Sequence, residues 1–249
     1  MVAAMEFKNN RLYRPGPCFK SLPDLESRLN LTACAGLGST LPLPRLILMT
    51  DEKRLADPLP VVRALPSGSA VIVRHYDDPN RADVAASLIN EARRRRIRVL
   101  IAGDARLALR IGAHGLHLSE ALLRHGRGAW RKWRKPEWLV TAAAHSPQAL
   151  LLAWRLGVDA ALLSPVFPTL SHPEARPLGS LRFASWCRMA PLAVYALGGV
   201  TPVNAKRLKG CGAKGVAGIG SFVDKGLRPA QKYYSVTRPN ELRSFNRMP

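Results

Sequence analysis

Two glycine-rich segments near the end of the chain have the composition of a phosphate-binding site. The first, Tyr195–Pro202, contains the pair Gly198 and Gly199, and the second, Gly215–Ser221, contains Gly220. Glycine lets a backbone approach an oxyanion closely, and unpaired N–H groups at a helix start can then bind it. The alternative is that these glycines only allow tight turns. Because the segments follow the last two predicted strands, we predict that the three glycines bind phosphate.

A third segment, Leu163–Pro173, combines stiffness with hydroxyl groups. It contains three prolines besides the side chains of Ser164, Thr169 and Ser171. Prolines restrict the backbone, and hydroxyls can donate hydrogen bonds to phosphate oxygens. We therefore predict that these three side chains bind a phosphate or diphosphate. The alternative is an ordered surface loop whose hydroxyls contact water.

The elements that must position these segments alternate regularly from Leu43 onward. Short β-type runs are separated by segments in which apolar residues recur at helical spacing. The predicted strands are Arg45–Met49, Ala70–Arg74, Val99–Ala102, Gly115–His117, Leu139–Ala142, Ala160–Leu163, Leu192–Tyr195 and Gly215–Ala217. Eight strand–helix units in roughly 180 residues predict an α/β fold, a small (β/α)8 TIM barrel, with ligands at the C-terminal ends of its strands.

The helical segments between the strands carry recognisable start signals. The predicted helices are Arg81–Arg95, Arg106–Ile111, Pro147–Leu156, Leu181–Met189 and Pro202–Cys211. Ser146 and Thr201 precede two of them and are predicted N-caps, because their hydroxyls can accept hydrogen bonds from the first free N–H groups.

The regular pattern covers only the middle of the 249-residue chain. We predict an irregular extension over residues 1–43, a barrel over residues 44–223 and a basic tail over residues 224–249. The four cysteines are widely separated, so neither a zinc site nor a disulfide framework is expected. The most apolar stretch, Ala149–Phe167, contains Arg155, Asp159 and Pro165, which argue against a membrane span. We expect a soluble, cytoplasmic protein with no membrane partner.

The net charge of +21 points to an anionic partner. A phosphorylated small molecule, a nucleic acid and an acidic membrane surface all fit such a charge. Basic residues cluster at Arg93–Arg96 and, interleaved with Trp130 and Trp133, at Arg124–Lys135. That second cluster could stack on nucleic-acid bases, but we favour a solvated basic face with an anchored tryptophan.

Five segments together resemble the thiamine phosphate synthase/TenI superfamily of small (β/α)8 barrels. They are Leu46–Asp51, Ala113–Leu118, Ser164–Thr169, Ala196–Pro202 and Gly212–Ala217. The resemblance implies a condensation in which a thiazole phosphate attacks a pyrimidine diphosphate. In that reaction Mg²⁺ and basic residues stabilise the departing diphosphate.

The resemblance also implies roles for particular side chains. Arg74, Asp104, Thr169 and Ser171 would face the pyrimidine diphosphate, with Asp104 as the metal ligand, and His172 stands where the family pattern has a lysine. Arg74, Asp104, Ser171 and His172 are therefore the predicted catalytic residues. Alternatively, Arg74 and Asp104 form a simple ion pair.

Other positions depart from the family pattern. Leu122 stands in place of the second metal carboxylate, with Glu120 as a possible substitute, and Ala143 replaces a serine. His117 is either a hydrogen-bonding residue at the barrel mouth or, as we favour, a structural one. Three functions follow as hypotheses: a synthase of full, weakened or lost activity, a non-catalytic module that binds a phosphorylated ligand or nucleic acid, and a thiazole tautomerase with His172 as the nearest base. The oligomeric state is left open.

Overall fold

A closed barrel of eight parallel strands forms the centre of the molecule. The computed structural model describes residues 42–126, 128–169, 171 and 173–219. Each strand pairs with the next in the chain, and the eighth pairs with the first. The strands are β1 (Leu46–Met49), β2 (Ala70–Val73), β3 (Arg98–Ala102), β4 (Gly115–Leu118), β5 (Leu139–Ala144), β6 (Ala160–Leu163), β7 (Ala193–Leu197) and β8 (Gly215–Gly218). This arrangement confirms the predicted (β/α)8-type barrel.

Helices pack around the barrel, and four of them begin after a residue whose side chain accepts a capping hydrogen bond. They are α1 (Leu59–Ala64), α2 (Arg81–Arg93), α3 (Ala105–Arg110), α4 (Glu120–His125), α5 (Pro147–Arg155), α6 (Gly179–Met189) and α7 (Pro202–Ala205), with 3₁₀ helices at Ala129–Trp133 and Lys206–Leu208. Ser146 and Thr201 accept N-capping hydrogen bonds from Ala149 and Asn204, as predicted. The last predicted helix is shorter than expected, because α7 tightens into a 3₁₀ turn that ends before Gly210, whose φ is +72°.

The strands separate two apolar cores. Residues that point inward, such as Ile47, Ile72 and Leu162, fill the barrel, while their alternating neighbours pack against the helices. The Tyr195 side chain fills the end of the barrel where the strands begin. Its hydroxyl donates a hydrogen bond to the carbonyl of Pro44, which precedes β1. The opposite end of the barrel, where the strands have their C-termini, therefore remains as the place for polar side chains.

The boundaries of the molecule can be compared with the predicted ones only in part. Most of the extension predicted at residues 1–43 and all of the predicted tail at residues 224–249 lie outside the described residues. Leu43, at the edge of the described part, packs against the barrel interior. In the described part of the chain, no helix has both the length and the apolar character that crossing a bilayer requires.

Candidate active site at the barrel mouth

A carboxylate and two guanidinium groups from the first two strand exits form the polar centre of the mouth. Asp51 follows β1, and its Oδ2 lies 3.1 Å from Nη2 of Arg54 and 3.7 Å from Nη2 of Arg74, which follows β2. The other oxygen of Asp51 accepts hydrogen bonds from the backbone N–H groups of Lys53 and Arg54. Asp51 thus fixes the loop after β1 and orients both arginines.

The ionisation state of Asp51 follows from these contacts. Partial burial alone would raise its pKa, but hydrogen bonds from Arg54, together with the charges of Arg54 and Arg74, lower it below the usual range. Asp51 is therefore negatively charged at neutral pH. Because two guanidinium groups share this one carboxylate, the cluster carries an excess of positive charge.

Arg54 connects this cluster to the hydroxyl-rich loop after β6. Its Nη1 donates to Oγ of Ser171 over 2.7 Å. Thr169 lies beside Ser171: its hydroxyl is 3.4 Å from Oγ of Ser171 and accepts from the Ser171 amide over 3.3 Å. The fold therefore brings together Arg74, Thr169 and Ser171, three of the predicted site residues. The structure adds Arg54, which the sequence analysis did not predict as a site residue. The Asp-x-x-Arg spacing from Asp51 to Arg54, just after the first strand, is the sequence feature that could have indicated it.

A buried threonine–histidine pair holds the backbone where Arg74 leaves β2. Oγ1 of Thr50 accepts from the Arg74 amide over 3.1 Å and lies 2.8 Å from Nδ1 of His75. His75 has a φ of +30°, a conformation that is unusual for a residue with a side chain. Burial lowers the pKa of His75, so the ring is neutral at pH 7 and positions Arg74 without adding charge. His75 was not among the predicted site residues.

Gly198 and Gly199 have a structural reason to be glycine. Their φ values are +89° and +65°, and a Cβ on Gly199 would lie 2.2 Å from the carbonyl oxygen of Pro168. The loop after β6 is held in this place by hydrogen bonds from Val166 and Phe167 to the carbonyls of Leu197 and Gly198. The glycine pair thus lets two strand exits pack together and supports the loop that carries Thr169. Its predicted phosphate binding stays a prediction.

The remaining residues predicted to bind phosphate are placed only in part. Ser164 directly follows β6, where its amide donates to the carbonyl of Ala144 and its peptide bond to Pro165 is cis. Gly220 and His172 lie outside the described residues.

Asp104, the predicted metal ligand, caps a helix. Its Oδ1 accepts from the Leu107 amide over 2.8 Å at the start of α3. Arg74 forms its ion pair with Asp51, not with Asp104 as the alternative prediction had it. Asp104 also borders a cavity of about 330 Å³ outside the barrel wall, which Leu122, Trp130 and Trp133 line as well.

Glu120, the possible substitute ligand, is occupied elsewhere. Its two carboxylate oxygens accept hydrogen bonds from Arg124 and from the backbone of His145, and its Oε2 lies 2.8 Å from Nδ1 of the His145 ring. Burial opposes its ionisation, but the hydrogen bonds from Arg124 and His145 lower its pKa, so Glu120 is charged and paired. Among the described residues, no group of three or more His, Cys, Asp or Glu side chains could hold a metal ion. Of the two carboxylates that the resemblance implies for Mg²⁺, one is replaced by Leu122, and the other, Asp104, uses one oxygen to cap α3.

His117 belongs to the barrel interior. It is 3% exposed, and its Nδ1 lies 2.9 Å from Oγ1 of Thr141 on the neighbouring strand. Complete burial, with a smaller effect of the positive charge of Arg74, lowers its pKa to about 3. The ring is neutral and structural, which is the role that we favoured.

Two arginines of the basic segment bind the protein itself. Arg131 donates to the carbonyl of Leu156, and Arg134 pairs with Asp159 at 2.9 Å. The two contacts tie the 3₁₀ helix Ala129–Trp133 and the residue after it to the connection between α5 and β6. Lys132 is exposed and lies against the ring of Trp133. These internal contacts favour the structural interpretation of the segment, and nucleic-acid binding stays a prediction.

Comparisons with known proteins agree in pointing to one family. Residues 46–222 match the family model described as thiamine monophosphate synthase. The chain is 32% identical over 193 residues to the thiamine-phosphate synthase of Chlorobium luteolum (strain DSM 273 / BCRC 81028 / 2530), with 76% of this chain and 89% of the relative covered. It is 26% identical over 210 residues to the thiamine-phosphate synthase of Koribacter versatilis (strain Ellin345), with 80% and 99% covered.

A solved structure shows the same fold. The thiamine phosphate pyrophosphorylase from Pyrococcus furiosus superposes with a TM-score of 0.61 at 23% identity, covering 71% of this chain and 85% of that chain.

Proposed function

The chain belongs to the thiamine monophosphate synthase family, as its motifs predicted, and on that premise we propose that it condenses a pyrimidine diphosphate with a thiazole phosphate to give thiamine phosphate. The partners in this proposal are phosphorylated small molecules, and the barrel mouth is the site of reaction.

One observation carries the proposal: two guanidinium groups and two hydroxyls converge at the mouth. Arg54 and Arg74 meet at Asp51, and Arg54 also contacts Ser171 beside Thr169. When the thiazole nitrogen attacks the pyrimidine methylene, the bond to the diphosphate breaks and negative charge accumulates on the departing oxygen. Cationic N–H donors fixed in advance stabilise such charge with little reorganisation. We therefore assign the departing diphosphate to these four side chains.

The phosphate of the thiazole belongs, in this proposal, at the exits of β7 and β8. Barrels of this type often bind phosphate after their last two strands. Gly198 and Gly199 form the turn after β7, and Gly199 is held from behind by a hydrogen bond from Asn204 to its carbonyl. The turn lies against the loop that leads to Thr169, so the two substrates would meet between the exits of β6 and β7.

The competing hypotheses have less support from the described residues. A tautomerase needs a base at the mouth, and His172, the nearest candidate from the sequence, lies outside the described residues. His75 and His117 are neutral but buried, at 1% and 3% exposure, and so cannot reach a ligand in the mouth. Nucleic-acid binding has less support because Arg131 and Arg134, two cations of the basic segment, already bind groups of the protein itself.

The test is a synthase assay on the purified full-length chain, with both phosphorylated substrates present and thiamine phosphate as the measured product. We expect turnover, and we expect Arg74→Gln to lower kcat/KM by about ten- to hundredfold, because a charged hydrogen bond to the departing group is lost. Arg63→Gln is the matched control. Arg63 lies in the last turn of α1, away from the mouth, and pairs with Glu91. A folded wild-type protein that forms no thiamine phosphate would refute the proposal.

A further inference from the structure

In this chain an apolar side chain and a partly buried arginine lie where the family pattern has a metal site. A Cβ built on Gly103, at the exit of β3, would lie 3.6 Å from Cε1 of Tyr76 and 3.7 Å from Cδ1 of Leu122. Tyr76 and Leu122 are 51% and 37% exposed, so both side chains reach the surface at this edge of the mouth. Magnesium requires oxygen ligands in a nearly octahedral arrangement, and neither side chain offers a carboxylate.

Arg81 makes the same place less suitable for a cation. Its Nη2 donates to the carbonyl of Ala102 at the end of β3, and its guanidinium lies over the ring of Tyr76 at 5.2 Å. Burial lowers the pKa of Arg81, whereas Tyr76 and the nearby carboxylates of Asp104 and Glu52 counter this effect, so the arginine stays charged close to both carboxylates. Asp104 thus already has a positive neighbour, besides using one oxygen to cap α3.

Arg54 and Arg74 supply positive charge beside this place, at the neighbouring exits of β1 and β2. The side chain of Asp51 is 12% exposed, whereas those of Arg54 and Arg74 are 40% and 30% exposed, so the carboxylate lies deeper than the cations that it holds. Arg54 has five N–H donors, and its side-chain contacts with Asp51 and Ser171 in the described part of the chain use two of them. Within the described residues, its other three donors form no hydrogen bond to the protein.

From these observations we infer that this chain binds diphosphate without a divalent metal, with Arg54 and Arg74, oriented by Asp51, in place of the cation. A guanidinium group matches phosphate oxygens with a planar pair of donors, and the net positive charge of the cluster attracts the anion. The inference rests on the proposed function for the identity of its ligand. It departs from the family pattern in needing Arg54 and no metal.

Calorimetric titration of the full-length protein with sodium diphosphate tests this inference. One titration is made in buffer with EDTA and one with excess Mg²⁺. We expect binding in both, with affinities that agree within about threefold. Arg54→Gln should weaken binding in EDTA by about ten- to hundredfold, because a charged hydrogen bond is lost. The diphosphate affinity of Arg54→Lys should lie between those of Arg54→Gln and the wild type, since lysine keeps the charge but not the planar pair of donors. Arg63→Gln should bind like the wild type.

Two results would overturn the inference. The first is diphosphate binding that requires Mg²⁺. Turnover in the synthase assay, measured on the same preparation, would then show that the proposed function survives. The second is diphosphate binding in EDTA that Arg54→Gln leaves unchanged while circular dichroism shows the variant folded. In that case the anion lies elsewhere in the protein, and the assignment of the departing diphosphate to Arg54 fails with the inference.

Discussion

Lowering the pH from 7 to 5 should destabilise the protein through His117. The ring is buried, and its pKa in the folded protein is about 3, whereas an imidazole in the unfolded chain has a pKa of 6.5. A folded pKa below the unfolded one means that the unfolded chain binds more protons between these two values. The stability associated with the neutral ring is therefore complete above pH 6.5 and is lost as the pH falls towards 3.

The size of the effect at pH 5 follows from the unfolded state alone. At that pH the folded ring is still neutral, while the unfolded one lies about 1.5 pH units below its pKa, and each unit is worth 1.36 kcal/mol. Protonation of His117 in the unfolded chain should therefore lower the free energy of unfolding by about 2 kcal/mol between pH 7 and pH 5.

The assay is urea denaturation of the wild type and of His117→Asn at pH 7, 6 and 5. Asparagine does not titrate and can still hydrogen-bond to Thr141, which lies 2.9 Å from the present Nδ1. His75 and His114, whose pKa values burial also lowers, titrate in both proteins and cancel in the difference. The wild type should lose about 2 kcal/mol more than the variant. Equal losses in the two proteins would refute the assignment of a neutral, buried His117.

Two further predictions concern stability. Gly199→Ala should lower the free energy of unfolding by about 2 kcal/mol more than Gly210→Ala does, as measured by chemical denaturation. Both glycines have left-handed φ values, +65° and +72°, but only at Gly199 would the new Cβ meet the backbone, whereas at Gly210 nothing lies within 4 Å; equal losses would contradict the packing argument. Arg134→Leu should cost about 3 kcal/mol, because Asp159, whose side chain is 7% exposed, would lose its positive partner. Lys132→Leu is the exposed control, with an expected change within about 0.5 kcal/mol, and an Arg134→Leu protein as stable as this control would argue against a structural role for that arginine.

Different residues form the core and the mouth, which explains how a family member can change the residues of its site and keep its fold. The barrel depends on the apolar residues inside and outside the strands, and the side chains that face a ligand lie beyond the strand ends. Leu122 can therefore replace a metal carboxylate of the family pattern at the mouth, because its side chain, 37% exposed, lies outside the buried core. The same independence allows Arg54, on the loop after β1, to contribute a cation to the loop after β6.

The sequence by itself determined the architecture. Runs such as Ala70–Val73, buried at every position, and caps such as Ser146 and Thr201 are local signals, because hydrophobic periodicity and capping depend on residues close together in the chain. The alternation of such runs with helical segments was enough to predict eight strands, and it pointed to the end of the barrel where Asp51, Arg54 and Arg74 meet.

Only the tertiary structure decided which side chains meet there. Arg54 and Ser171 are separated by 117 positions in the chain, and Arg74 pairs with Asp51 across neighbouring strand exits. Asp104 proved to cap α3, and Glu120 to bind Arg124 and His145. An ionised side chain takes whichever partner lies within a few ångströms and is best oriented, and that depends on the packing of loops from distant parts of the chain.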